Sequence, residues 1–329
     1  MVTDQLKDGY DVVVVGGGAA GLSGGLVLGR ARRSVAVIDA GEPRNAPADG
    51  VHGLFAREGV SPLELLERGR AEVRQYGGHV VSGSVETVDR ADDGFVVTLG
   101  DGRTVRARRL LVTSGLVDEL PDIPGLRERW GRDLVHCPYC HGWEVRDRAI
   151  GVLGSGPMSL HQVSLFRQWS DDVTFFLNGL PPLTEEQAEE LAARGIRVVT
   201  GEVAGVEVTD DHISGVRMSD GTVVARAVLA VSSRHVARTG FLAALGLTPV
   251  EHPTGMGEHI PADPTGRTNV PGVWVAGNVT DIGAQVGAAA AAAVMAAATI
   301  NMDLIGEETR LAVEAYRELR SDSAGVSSP

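Results

Sequence analysis

Asp11-Val12-Val13-Val14-Val15-Gly16-Gly17-Gly18-Ala19-Ala20-Gly21 is the stretch on which the fold turns. Four β-branched residues in a row suit a strand buried on both faces, and the glycines after them open a helical pattern that reaches Arg30. Gly16 permits the tight turn, Gly18 lets backbone approach a pyrophosphate, and Gly21 lets the helix pack closely on the strand. The free N–H groups of the helix start then face the anion. A second strand, Ser34 to Ile38, ends at Asp39, near the spacing of about 20 residues at which an acidic side chain takes a ribose hydroxyl. The prediction is a dinucleotide-binding βαβ unit.

Displaced by 138 positions, the sequence meets itself again: Asp11 to Gly18 falls on Ala149-Ile-Gly-Val-Leu-Gly-Ser-Gly, and Leu22 on Leu160. A second Rossmann-like unit is expected from Ala149, with its next strand at Val173 to Leu177. The displacement carries Asp39 to Leu177, so the second unit lacks the acidic ribose contact. Hairpins are expected at Phe95 to Leu99 with Thr104 to Ala107, and at Ile213 to Met218 with Thr222 to Ala225. An apolar strand is expected at Leu110 to Val112, before Thr113-Ser114-Gly115. Ser61-Pro62-Leu63-Glu64 predicts a capped helix start, and Thr184 to Glu190 a solvated helix face. Val273-Trp274-Val275-Ala276-Gly277-Asn278 reads as a buried strand running to the start of a glycine- and alanine-rich helix, Gly283 to Thr299, and the residues after Ser321 as a loose tail.

The 329 residues favour two domains, and 43% hydrophobic content excludes a disordered chain. A formal net charge of -13 argues against general nucleic-acid binding. The 43 glycines have no three-residue period and cluster at turns, which excludes collagen. The apolar run Ala284 to Thr299 is alanine-rich and shorter than the roughly 20 residues of a spanning helix, and no export signal precedes the first strand, so no membrane segment and a cytoplasmic location are expected.

The only two cysteines stand in His136-Cys137-Pro138-Tyr139-Cys140-His141-Gly142-Trp143-Glu144. Cys-x-x-Cys can close a small disulfide ring, and a helix start or a neighbouring imidazole favours the thiolate. A zinc site is the rival, since His and Cys are ligands and Cys-x-x-Cys is half of many metal sites, but no second cysteine pair exists. Redox chemistry is the better expectation, with no metal.

The first glycine motif, the Cys-x-x-Cys directly before a second Gly-x-Gly-x-x-Ser, and Gly277-Asn278-Val279 with Asp281 and Gln285 together resemble the low-molecular-weight thioredoxin reductase family. The resemblance spans nearly the whole chain. It implies an α/β fold of two Rossmann-like, three-layer ββα domains, the second inserted into the first: an FAD domain of residues 1–116 and 236–329, and an NAD(P)-type domain of residues 117–235 carrying the cysteines. It also implies a homodimer. Gly16, Gly18, Ala19, Ala20, Gly21, Asp39 and Ala40 would hold the ADP portion of FAD. Val85 and Thr113-Ser114-Gly115 would border it, and Gly277, Asn278, Gln285 and Val286 would follow the ribityl chain and flavin. Asn278 replaces the aspartate usual in the family.

Two departures steer the expected activity. His141 stands where the reductases carry an acid/base aspartate, and Cys-x-x-Cys-His-Gly-aromatic-Glu resembles the flavin dithiol oxidases of gliotoxin and holomycin biosynthesis, as do Arg44-Asn45-Ala46 and His52-Gly53. Leu177-Asn178-Gly179-Leu180-Pro181-Pro182 moreover offers no cation to an NADPH 2′-phosphate. The expected enzyme oxidises a small-molecule dithiol through a Cys137–Cys140 disulfide, with FAD as cofactor and oxygen as acceptor. By analogy Cys140 is the flavin-proximal thiol and Cys137 the interchange thiol. His141 is the candidate base, with His136 a second candidate and His52 reaching the flavin face. The alternative is an NAD(P)H-dependent disulfide reductase using Gly154, Gly156 and Ser159.

Overall fold

The computed structural model describes residues 3–325, and side chains through residue 320. The first half runs β1 (Gly9–Val15), α1 (Ala19–Arg30), β2 (Val35–Asp39), α2 (Pro62–Gln75), β3 (His79–Ser82), β4 (Val85–Ala91), β5 (Gly94–Leu99) and β6 (Thr104–Val112). Two short strands then cross between sheets, β7 (Leu116–Glu119) on the way out and, much later, the strand at Arg234–Ala237 on the way back. Between them lie β8 (Leu134–Val135), α3 (Pro138–His141), β9 (Ile150–Leu153), α4 (Ser159–Phe166), β10 (Val173–Phe176), α5 (Glu185–Ala193), β11 (Arg197–Val199), β12 (Val203–Thr209), β13 (His212–Met218), β14 (Val223–Ala225) and β15 (Val228–Val231). The returning strand is β16, followed by β17 (Val250–Glu251), β18 (Glu258–His259), β19 (Val273–Val275) and α6 (Val286–Gly325).

The first sheet has the order β3-β2-β1-β6-β5-β4, with β19 also paired to β6. The hairpin strand expected at Thr104 and the apolar strand expected at Leu110 are one strand. Thr104 to Ala107 pairs antiparallel with β5, and Leu110 to Val112 pairs parallel with β19, while β1 lies along the other edge. Side chains alternate across β1: Val13 and Val15 enter one core with Ile38, Leu110 and Val273, whereas Val12 and Val14 enter the other with Val37, Leu111 and Trp274. Burial on both faces explains why the strand reads as continuous valine, each such side chain contributing about 1.5–3 kcal/mol. The small residues of α6 serve the same core. Ala293, Ala296 and Ala297 are fully buried, and a Cβ on Gly24 of α1 would strike Leu111 and approach Ala293.

The second sheet, β11-β10-β9-β15-β8, is wholly parallel, and the hairpin at 213–225 joins a three-stranded sheet with β12. The fold is therefore α/β with two Rossmann-like units, as expected.

Three local expectations need correction. Helix α2 starts where expected, with Ser61 at its N-cap and Pro62 in its first turn, but Ser61 makes no side-chain cap bond and Glu64 instead pairs with Arg68 one turn on; the capping box forms at Thr184 and Gln187 of α5. Helix α6 does not stop near Thr299. It continues through Gly325, so 321–325 are helical and only 326–329 of the expected tail lie outside the described residues. Ion pairs from Arg33 to Glu308, Arg109 to Asp303 and Arg108 to Glu307 tether the extension to the body. This helix is also long and apolar enough to cross a membrane by length and composition, contrary to the short run read from sequence. Its first turns are packed in the core against α1.

Candidate active site

A cavity of about 580 Å³ opens between the two sheets. Its floor is the Gly16 turn, one side the ends of β2 and β6, and the other the start of α6. The second sheet closes it with Cys137, Cys140 and His141. Every residue expected at the cofactor lines this space except Gly21, whose place is behind the turn: a Cβ there would collide with Gly16 O. Gly16 has φ +111°, and a Cβ on it would strike Thr113 O, so both glycines are required for the cradle. Gly18, by contrast, faces open space, which leaves its backbone accessible to a phosphate.

Asp39 is buried at the end of β2, where its Oδ1 accepts from Gly41 N at 2.9 Å and its Oδ2 from Arg70 Nη2 at 2.9 Å. Arg70, from α2, compensates the charge; no motif marked it. Thr113 donates to Gly16 O at 2.9 Å and fastens the end of β6 to the turn. Asn278 donates through Nδ2 to Asp281 O at 3.0 Å and Ala284 O at 2.9 Å. A carboxylate has no proton for these bonds, which gives the asparagine at this position a physical reason. Glycines that a side chain would obstruct, an open backbone at Gly18 and a charge-compensated acid at the strand end fit the ADP half of FAD.

Arg44 lines the cavity, and its guanidinium is engaged by a carboxylate. It holds Asp118 of β7 bidentately, at 2.6 and 2.7 Å, and Ser233 donates to the same carboxylate at 2.6 Å. Burial opposes ionisation of Asp118, but Arg44 holds its pKa below the ordinary value. His235 of β16 lies 3.5 Å from Asp118 and is pushed down to about 4, first by burial and then by Arg44. His136 stacks edge-on against His235 at 5.3 Å, its Nδ1 lies 3.1 Å from Val231 O, and burial lowers its pKa. His136 is thus tied into the ribbon that joins the two sheets.

The cysteines are free thiols, with Cys137 at the N-cap of α3 and Cys140 within it. The bond from the Cys140 thiol, against burial, and then the N–H groups of Cys140 and Tyr139 bring Cys137 down to about 7. Cys140 is pushed up by its bond to Cys137 and by burial. The pair thus ionises first at Cys137. Gln285, expected beside the flavin, points Nε2 at both sulfurs, 4.0 Å from Cys137 and 3.9 Å from Cys140. Both ring nitrogens of His141 are buried without a partner, and burial lowers its pKa, so it is neutral and able to accept a proton. His52 lines the cavity, with Nδ1 2.7 Å from Glu58. Among the described residues, no group of three or more His, Cys, Asp or Glu side chains is placed to hold a metal.

Residues 10–310 match the family model described as pyridine nucleotide-disulphide oxidoreductase. The chain belongs to that family. Among curated relatives it is 30% identical over 316 residues to "Thioredoxin reductase sirT" of Leptosphaeria maculans, covering 91% of this chain and 95% of that one. It is 32% identical over 282 residues to "Thioredoxin reductase tcpT" of Claviceps purpurea, covering 82% and 86%. Among solved structures, HlmI superposes with a TM-score of 0.89 at 44% identity over 97% of this chain and 99% of that one. An oxidoreductase from Agrobacterium tumefaciens gives 0.84 at 35% identity over 90% and 98%. These relatives bear out the resemblance to the thioredoxin reductase-like enzymes and their gliotoxin- and holomycin-type branch. The protein is a flavin-dependent thiol–disulfide oxidoreductase, and the family implies FAD.

Proposed function

We propose that this enzyme oxidises a small-molecule dithiol to an intramolecular disulfide, with oxygen as final acceptor and without NAD(P)H. The observation that carries this reading is the state of the second dinucleotide turn. Ser159 Oγ accepts from Ser155 N at 3.0 Å and Gly156 N at 3.2 Å, the two N–H groups a pyrophosphate would use. Leu177 replaces the ribose acid and is buried. Arg167 and Arg194, the cations nearest in sequence, donate to the carbonyls of Arg194 and Ser164. Exposed Tyr139, between the cysteines, and exposed Trp143 support an apolar, compact substrate at the thiols.

In the oxidised enzyme a substrate thiolate attacks Cys137 Sγ and Cys140 departs as thiolate; the second substrate thiol then displaces Cys137 and closes the product disulfide. His141 takes the proton from the entering thiol. Gln285 holds the sulfurs from the α6 side, and Gly16, Gly18, Asp39, Thr113 and Gly277 would hold the cofactor. FAD bound there would supply a two-electron acceptor for the cysteine dithiol, one that oxygen can reoxidise. We assign the FAD domain to residues 1–116 and 236–329 and the inserted domain to 117–235. We further propose a cytoplasmic homodimer, for which the exposed Met302, Ile305 and Leu319 of α6 provide an apolar face.

The names of the fungal relatives favour the second reading, an NAD(P)H-dependent reductase. Anaerobic mixing separates the two. Bleaching of the flavin by dithiothreitol, with recovery and peroxide on admitting air, is the expected result; rapid stoichiometric bleaching by NADPH would replace the proposal with the reductase.

A further inference from the structure

Gln285 is the last residue before α6, and its backbone is held on both sides. Asn278 Nδ2 donates to Ala284 O at 2.9 Å, and Gln285 O accepts from Ala289 N at 2.8 Å at the start of the helix. From this fixed point the side chain reaches the cysteines, with Nε2 3.9 Å from Cys140 Sγ and 4.0 Å from Cys137 Sγ. Its Oε1 faces Gly53, where even a Cβ would come no nearer than 3.9 Å. A carbonyl oxygen would repel a thiolate, so presenting the nitrogen is the orientation that serves an anion. The two sulfurs are unequally provided for. Cys137 stands at the N-cap of α3, where the Cys140 thiol and then, against burial, the N–H groups of Cys140 and Tyr139 lower its pKa. Cys140 lies inside the helix, and its own N–H also donates to Cys137 O at 3.1 Å. Among the described residues, Gln285 Nε2 is the hydrogen-bond donor from outside the pair that reaches Cys140 Sγ. Yet Cys140 is the sulfur that must depart first when a substrate attacks Cys137.

We propose that the Gln285 amide is a catalytic hydrogen-bond donor that stabilises each departing thiolate in turn, Cys140 in the first exchange and Cys137 in the second, and that Cys140 depends on it more. The order of departure rests on the dithiol reading; the contact with both sulfurs does not. In the first exchange the entering substrate sulfur, its proton taken by His141, bonds to Cys137 Sγ. The Cys137–Cys140 bond breaks, and its electron pair goes to Cys140 Sγ. In the second, the remaining substrate sulfur, likewise deprotonated, bonds to the first substrate sulfur. The mixed disulfide breaks with its electron pair on Cys137 Sγ. The two substrate protons end on the cysteine sulfurs, so a dithiol and a disulfide become a disulfide and a dithiol. At each departure the new anion forms on a sulfur that Nε2 already faces, and the donor needs no new rotamer. The bond to Cys137 and burial oppose ionisation of Cys140, while the charge of Arg44 favours it.

The test reads the thiols directly, in the FAD-loaded protein reduced with a phosphine. Alkylation by iodoacetamide is followed against pH on Cys140 in the Cys137→Ser protein and on Cys137 in the Cys140→Ser protein, each with and without Gln285→Ala. Gln285→Ala should raise the midpoint for Cys140 by about one pH unit, a tenfold weaker tendency to ionise, which is the scale of a hydrogen bond to an ion. The midpoint for Cys137 should rise less, because its helix N–H groups remain. Gln285→Glu keeps the length of the side chain and sets a carboxylate against both sulfurs, so both midpoints should rise further than in Gln285→Ala. Where a Gln285 variant carries no flavin, the flavin-stripped parent variant is its reference, and the same order of shifts is required. With both cysteines present, Gln285→Ala should slow flavin bleaching by dithiothreitol about tenfold in anaerobic rapid mixing. Slower bleaching with both midpoints unmoved would make Gln285 a merely structural neighbour and overturn the proposal, as would a larger shift at Cys137 than at Cys140. If dithiothreitol fails to bleach the wild-type protein, the dithiol reading fails, and the two midpoints alone decide the role of Gln285.

Discussion

The two βαβ units of this chain begin alike and end in opposite chemical states. Each has an apolar strand, a glycine turn and a helix. In the first unit position 21 is glycine, and Gly18 faces open cavity; in the second the equivalent position is Ser159, whose hydroxyl occupies the turn's N–H groups. The first strand pair ends in Asp39, compensated by Arg70, and the second in buried Leu177. On the proposed reading, the repeated fold does not carry a repeated ligand site. What distinguishes the units is whether the backbone donors and the ribose position remain available.

The comparison breaks most severely at Gly21. Gly21→Ser imports the second unit's side chain into the first, where its Cβ collides with Gly16 O, so the purified variant should carry no flavin. Absorbance of the isolated protein decides, and a fully yellow variant would show that the cradle tolerates the change. The next test compares reductants on the wild-type enzyme. On the proposed reading, flavin bleaching by NADPH should be about 10²-fold or more slower than by dithiothreitol, since Leu177 stands where the first unit has Asp39 and Ser159 holds the N–H groups of the second turn; equal rates would erase the distinction between the two units.

A smaller effect concerns the thiols beneath the second unit. In the reduced enzyme Cys137 alkylation should rise through pH about 7, being slow below it where the thiol is protonated. In Cys137→Ser the remaining Cys140 should react appreciably only at more alkaline pH, and mass spectrometry of the alkylated cysteine checks the order. The smallest expected effect lies at the ribbon joining the units. Asp118→Ala leaves Arg44 without its partner and should cost about 3 kcal/mol in denaturant unfolding. Because the Asp118 pKa is lowered in the folded protein, its stabilisation is complete above the ordinary carboxylate range and is lost as the pH falls through and below that range. The variant should therefore show a weaker loss of stability on acidification, and a parallel acid profile would remove Asp118 from the account.

Legibility followed distance along the chain. The valines of β1, the glycines after them, Asp39 and the Cys-x-x-Cys announced themselves because their roles are set by neighbours within a turn or a strand. The same local rule placed the start of α2 after Ser61, though Glu64 turned to Arg68 and the side-chain cap bond is absent, and it ended α6 too early, since the ion pairs that anchor its extension come from Arg33, Arg108 and Arg109. Arg44 lines the cofactor cavity and also holds Asp118, a partner that nothing local reveals.

By itself the sequence determined the α/β class, the paired glycine turns and the closely spaced cysteine pair, because periodicity, backbone φ requirements and a two-residue cysteine spacing are encoded locally. Only the tertiary structure decided that Arg70 neutralises Asp39, that Asn278 must donate rather than accept, that Gln285 reaches both sulfurs, and that His52 joins Glu58 to Glu144. Apart from Asn278, whose acceptors lie a few residues on, each of those depends on donors and charges brought together from distant segments, and at Asp39 and Arg70 burial leaves no alternative partner in water.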